Sequence, residues 1–261
     1  MTGGIAAKLD HLAVAAETWD ELWPRYRGDL SGAWVSGGPS FGFASAQVRY
    51  ANGMKIEALM PADWERNDFL RRFLDRRGPG PHHMTFKVPD IDAAIAATEA
   101  AGYRPVGIDV SDPHWKEAFL HPKDAPGVVI QLAQSAGEWD SPPPPNLPAP
   151  RTEPATLEYV GHVVETFDDG VRLYRDLLHG DERAKGHDDM LAADWVEYAW
   201  TSGGVVRVFE AASLTPGVHH VAFTTVDAAE VPDAQPTGEG RYEIAPEVNL
   251  GTRLLLRDAA A

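Results

Sequence analysis

The chain has 261 residues, 44% of them hydrophobic, enough for one large domain or two ordinary ones with their own cores. It has no cysteine, which excludes disulfides and thiolate metal sites and suits a reducing, cytoplasmic setting. Acidic residues exceed basic ones by 39 to 23, a net charge of −16 that speaks against nucleic acid and anionic membranes as partners. No apolar run approaches the ~20 residues of a membrane span, and Met1 to Ile5 carries no signal-peptide pattern.

In chain order, Leu9 to Val14 reads as a short apolar strand containing His11. Thr18 or Asp20 can cap a helix with Trp19, Leu22, Trp23 and Tyr26 on one face, and Pro24 falls in an early turn. Met54 to Leu59 is a strand containing Glu57. Asn67 can cap a helix with Phe69, Leu70, Phe73 and Leu74, stopped at Gly78. A strand over Pro81 to Phe86 holds His82 and His83; alternation turns His82 away from its neighbour, towards a surface or interface. Asp90 can cap a helix through Ile91, Ala94, Ile95 and Thr98, ending at Gly102. The last strand of this half, Val128 to Leu132, contains Gln131.

Consecutive prolines in 141–150 mark a semi-rigid spacer within a linker over 139–154. The expected domains are 1–138 and 155–261. The second copies the first with losses. His162 stands at the place of His11, Phe209 (or, with a one-residue slip, Glu210) at that of Glu57, His220 at that of His83, and Leu255 at that of Gln131.

The strands holding His11 and His83 match each other, as do the units that follow them, each closing on a strand with Glu57 or Gln131. Two βαβββ units packed side by side would bring these four residues together. Burying such polar groups without a partner costs about 1–3 kcal/mol each. A divalent cation would satisfy all four. Two imidazoles, a carboxylate and an amide oxygen suit Zn, Ni, Co, Mn or Fe(II) without distinguishing among them. Lys55 shares a face with Glu57 under strict alternation, which weighs against burial of that face.

Leu9 to Val14, Asn67 to Phe86, Asp90 to Ala94, and Phe119-Leu120-His121-Pro122-Lys123 with Gly127 to Leu132 resemble the vicinal oxygen chelate superfamily, most of all methylmalonyl-CoA epimerase. The resemblance implies an α+β fold of tandem βαβββ units forming two vicinal oxygen chelate domains, the second degenerate. It implies His11, Glu57, His83 and Gln131 as ligands of one divalent metal. Epimerases of the family commonly place the amide second and the carboxylate last, so the two types are exchanged here. They also carry an acidic residue, proposed as a base, where this chain has Ser40-Phe41-Gly42-Phe43.

The expected chemistry is proton transfer next to a carbonyl of a small oxygen-chelating substrate: an isomerase, epimerase or lyase with Glu57 as the catalytic carboxylate. Phe41, Phe43, His114 and Trp115 are candidates for substrate contact. The alternatives are an extradiol-type Fe(II) dioxygenase, whose metal usually sits in the C-terminal domain, and a non-catalytic antibiotic-binding protein. A small molecule is the expected partner, with a homodimer as one option for assembly.

Overall fold

A computed structural model describes residues 4–137, 139–238 and 240–259. The first quarter runs β1 (Lys8–Ala15), α1 (Trp19–Trp23), β2 (Ala33–Pro39), β3 (Phe43–Arg49) and β4 (Lys55–Pro61). Helix α2 (Phe69–Arg77) leads into the second: β5 (Gly80–Lys87), α3 (Ile91–Ala100), β6 (Pro105–Asp109), β7 (Trp115–Leu120) and β8 (Val129–Ser135). The third has β9 (Thr156–Val164), α4 (Phe167–Gly170), β10 (Asp181–Asp188), β11 (Ala193–Ala199) and β12 (Val205–Glu210). The fourth has β13 (Gly217–Thr225), a 3₁₀ turn over Ala228–Glu230, β14 (Gln235–Gly238), β15 (Arg241–Ile244), a second 3₁₀ turn over Pro246–Val248 and β16 (Leu254–Asp258). The helix missing from the fourth quarter is the one that Pro232 cuts short in the sequence.

Strands β1–β8 form one eight-stranded sheet in the order β2-β3-β4-β1-β5-β8-β7-β6. Strands β9–β16 form a second with the same order, β10-β11-β12-β9-β13-β16-β15-β14. The fold is α+β, two tandem modules with the same strand order, each made of two βαβββ-type units side by side, the last of them without its helix. No helix among the described residues is long and apolar enough to cross a membrane.

Local signals explain the elements. Glu21 accepts a hydrogen bond from the Thr18 N–H at 3.0 Å and so fixes the start of α1. Beyond Trp23 the helix widens into a π turn over Pro24–Asp29. The third quarter widens identically over Val171–Leu177, where Arg172 stands in place of the proline. The wide turn therefore accommodates Pro24 and is not caused by it. Asp68, not Asn67, is the N-cap of α2, and Gly78 ends it with φ 72°. Asp90 accepts from the Ala93 N–H at 3.0 Å, a cap worth about 1 kcal/mol.

The chain also gathers into two compact units. One contains residues up to His11, 83–137 and Tyr159–His219. Its core includes Phe86, Tyr174 and Trp200, with Phe86 5.0 Å from the Trp200 ring. The other contains Leu12–His82, Trp139–Glu158 and 220–259. There Tyr50 meets Phe223 at 4.9 Å, and buried Arg25 donates to Asn249, to the Pro232 carbonyl and to Asp233. The proline-rich segment belongs to this unit as a tied strap. Trp34 Nε1 donates to the Ser141 carbonyl at 2.7 Å, and Arg27 Nε donates to the Pro148 carbonyl at 3.1 Å.

Candidate metal centre

Three adjacent strands of the first sheet, β4, β1 and β5, carry Glu57, His11 and His83. One ligand atom from each lies within 4.8 Å of the others, close enough for a single ion to reach all three. The imidazoles are almost wholly buried, and their rings meet edge-on at 6.0 Å and 67°. Phe119 of β7 stands edge-on to His83 at 6.4 Å.

Two of these donors have supporting partners beyond the four residues singled out in the sequence. Asp10 Oδ2 accepts from His11 Nδ1–H at 2.7 Å, which leaves the lone pair of this ring on Nε2. Gln47, paired with Glu57 across β3 and β4, donates to its Oε1 at 3.0 Å. Lys55 is buried on the same strand, so the face it shares with Glu57 is an interior one despite its charge. Asp10 adjoins His11 in sequence, where strand alternation predicts opposite directions. Gln47 carries no signal until the register is known.

Gln131 lies on β8, beside β5, with Thr85 as its pairing partner. Its amide is clamped: Oε1 accepts from the Thr85 hydroxyl at 2.5 Å and Nε2 donates to Glu117 at 2.7 Å. Trp115 Nε1 donates to the same Glu117 oxygen at 2.7 Å, and the Lys87 ammonium lies 3.6 Å from the centre of the Trp115 ring. Trp115 is thus built into the β5–β8–β7 face, whereas His114 is exposed. Phe41 is exposed beneath the Arg66 guanidinium at 4.9 Å, and Phe43 packs edge-on against Phe69 at 5.5 Å.

His82 is half-buried and lies against a helix rather than in open solvent. It packs against Phe69 and Phe73 of α2 at 5.7 and 4.7 Å. Burial pushes its pKa down to about 4, against the pull of the Glu57 charge. The expectation treated alternation as exposure, but α2 covers this part of the sheet.

The second sheet corrects two sequence correspondences. The N-caps Thr18 and Thr166 are equivalent, and so are the left-handed residues Ser31 and His179. This spacing places Tyr159, not His162, at the position of His11. The hairpins closed by Arg49–Lys55 and Ala199–Val205 place Arg207, not Phe209 or Glu210, at that of Glu57. Arg207 pairs with Glu197 at 2.6 Å and lies between the rings of Tyr159 and Trp195, 3.9 and 4.2 Å away. A cationic side chain thus stands where the first sheet has its carboxylate. Phe209 is buried core, and Glu210 accepts from the Phe167 N–H at 2.7 Å, at the start of α4. His162 is buried, bonded to Tyr174 and to the Pro126 carbonyl. Leu255, opposite Ala222 as Gln131 is opposite Thr85, keeps its expected place.

Two pairs of βαβββ-type units, with a histidine–carboxylate–histidine cluster that among the described residues lies in the first pair alone, define a tandem oxygen-chelate scaffold. The chain belongs to the vicinal oxygen chelate superfamily, with residues 10–119 matching the Glyoxalase/Bleomycin resistance protein/Dioxygenase superfamily. Its N-terminal half is similar to the mitochondrial methylmalonyl-CoA epimerase of Homo sapiens, 31% identical over 143 residues that cover 52% of this chain and 79% of that protein. It is 32% identical over 136 residues to an ethylmalonyl-CoA/methylmalonyl-CoA epimerase of Cereibacter sphaeroides, covering 49% of this chain and 97% of that one. A hypothetical protein from Staphylococcus aureus, known from its crystal structure, shares the fold with a TM-score of 0.63 over 97% of this chain and all of its own, at 13% identity.

Proposed function

We propose that the chain is a divalent-metal-dependent epimerase or related isomerase or lyase that moves a proton next to a carbonyl, with an acyl-CoA thioester as the first substrate class to try. The observation that carries this reading is the His11–Glu57–His83 cluster, in a half of the chain similar to two CoA-ester epimerases. Two imidazoles and a carboxylate are a fitting donor set for a borderline divalent ion, with the Gln131 oxygen as a fourth donor. Such an ion, when bound, supplies Lewis-acid stabilisation to negative charge on a substrate carbonyl oxygen.

The chain's own residues do the rest. Asp10 holds the proton of His11 on Nδ1, so Nε2 faces its task deprotonated. The hydrogen bond from Gln47 keeps Glu57 oriented and favours its anionic form. In this reading the Glu57 carboxylate receives the substrate proton and returns it. Thr85 and Glu117 fix which end of the Gln131 amide presents its oxygen. Burial of His11 and His83, with Phe119 beside His83, keeps bulk water from the donor atoms.

The test is exchange of the α-proton of methylmalonyl-CoA and other acyl-CoA esters with solvent deuterium, using metal-reconstituted protein. Exchange that is lost in Glu57→Gln is expected. A two-histidine, one-carboxylate set also suits non-haem Fe(II) oxygenases. Oxygen uptake tracking turnover, with activity confined to Fe(II), would replace the proposal with that reading.

A further inference from the structure

The third quarter repeats the first, and one difference between them leaves a space. In the first quarter Trp23 packs edge-on against Trp34 of β2, their rings 5.9 Å apart at 73°. The spacing that equates Thr18 with Thr166 and Ser31 with His179 equates Trp23 with Val171 and Trp34 with Glu182. Pairing agrees, since Trp34 lies opposite Val48 and Glu182 opposite Tyr198. Where the first quarter has two indoles, the third has an isopropyl group and a carboxylate.

A cleft of about 420 Å³ opens at that place, lined by Phe167, Val171, Glu182, Trp195, Val196 and Tyr198 among others. Small-molecule sites begin at roughly 300 Å³. Tyr198 is fully buried, and its hydroxyl has no hydrogen-bond partner among the described residues. A buried hydroxyl in that state costs about 1–3 kcal/mol, which a polar atom entering the cleft would recover. The charges around the opening are already matched. Glu182 is held by Lys185 at 2.9 Å and Asp194 by His187 at 2.7 Å, so nothing there selects a net charge.

We propose that this cleft is a second, metal-independent binding site, for a flat aromatic molecule of about indole size with one hydrogen-bonding atom for the Tyr198 hydroxyl. The first quarter supplies the template, because the same scaffold there encloses indole rings. The site shares no residue with the His11–Glu57–His83 cluster, so it stands or falls independently of the proposed chemistry.

Calorimetric titration of the full chain with indole, and with quinoline as a ring that only accepts a hydrogen bond, tests this. One saturable site per chain is expected, unchanged by a metal chelator. Val171→Trp, with Glu182→Trp as a second variant in case the first folds poorly, refills the cleft and should weaken both probes at least ten-fold. Tyr198→Phe should weaken quinoline several-fold. Absence of saturable binding at millimolar probe, undiminished binding in a folded tryptophan variant, or unchanged quinoline affinity in Tyr198→Phe overturns the proposal.

Discussion

Acidification should loosen the third quarter through His162. This imidazole is fully buried; its Nε2–H donates to the Pro126 carbonyl at 2.5 Å, and its Nδ1 accepts from the Tyr174 hydroxyl at 2.6 Å. Burial holds its pKa down to about 4, against an ordinary value of 6.5. Between those values the unfolded chain binds a proton that the native protein refuses. The stabilisation is therefore complete above pH 6.5 and is lost as pH falls towards 4. At 1.36 kcal/mol per pKa unit, full loss amounts to about 3 kcal/mol, with about 2 kcal/mol gone by pH 4.5. Urea unfolding at pH 7, 5.5 and 4.5, with chelator present, compares the wild type with His162→Gln. Glutamine keeps a donor and an acceptor but does not titrate. The variant should start less stable at pH 7 and lose about 2 kcal/mol less on acidification. Equal acid sensitivity in the two proteins would refute the assignment.

Three further outcomes are expected. His83→Ala should retain almost no metal after desalting, whereas wild type should hold one ion per chain by elemental analysis; two ions would contradict the eroded second sheet. Arg207→Met strands Glu197 beside two rings and should cost about 1–3 kcal/mol in unfolding experiments while leaving metal content unchanged. Gly127→Ala should destabilise by at least about 2 kcal/mol, because φ there is 74° and a Cβ would lie 2.0 Å from the Pro216 carbonyl oxygen; a thermal midpoint within a degree of wild type would count against that backbone.

Apolar runs and their repetition made the strands around His11, Glu57, His83 and Gln131 legible, because alternation and repeat are local properties of the chain. The helix carrying Asp90 was equally readable from its cap and its closing glycine. What stayed hidden depends on register. A His-Val-Val string in β9 imitated the first strand, and only the N-caps and hairpin turns reveal the three-residue displacement that puts Tyr159 opposite His11. The same turns were printed in the sequence as Asn52-Gly53 and Ser202-Gly203, and counting from them leads to Arg207. Asp10, Gln47 and Glu117 could not be found that way. Their roles arise from pairing across strands or from a side chain curling back onto its neighbour.

The strap that holds Trp34 also bears on how the molecule avoids sticking to itself. β2 is an outermost strand, and such a strand offers unmatched backbone groups as a template for a foreign chain. Ser141 takes up both main-chain groups of Gly37: its Oγ accepts from the N–H at 2.8 Å and donates to the carbonyl at 3.1 Å. β10, its counterpart, reads Asp181-Glu182-Arg183-Ala184-Lys185-Gly186-His187-Asp188, a charged rim that an incoming strand would have to desolvate. The other two rims are short, β6 beginning at Pro105 and β14 containing Pro236, and proline gives no N–H to a ladder. Covering, charge and proline thus close the four open margins by different means. Trimming the strap, or neutralising β10, exposes a surface on which edge-to-edge assembly can begin without any loss of the core.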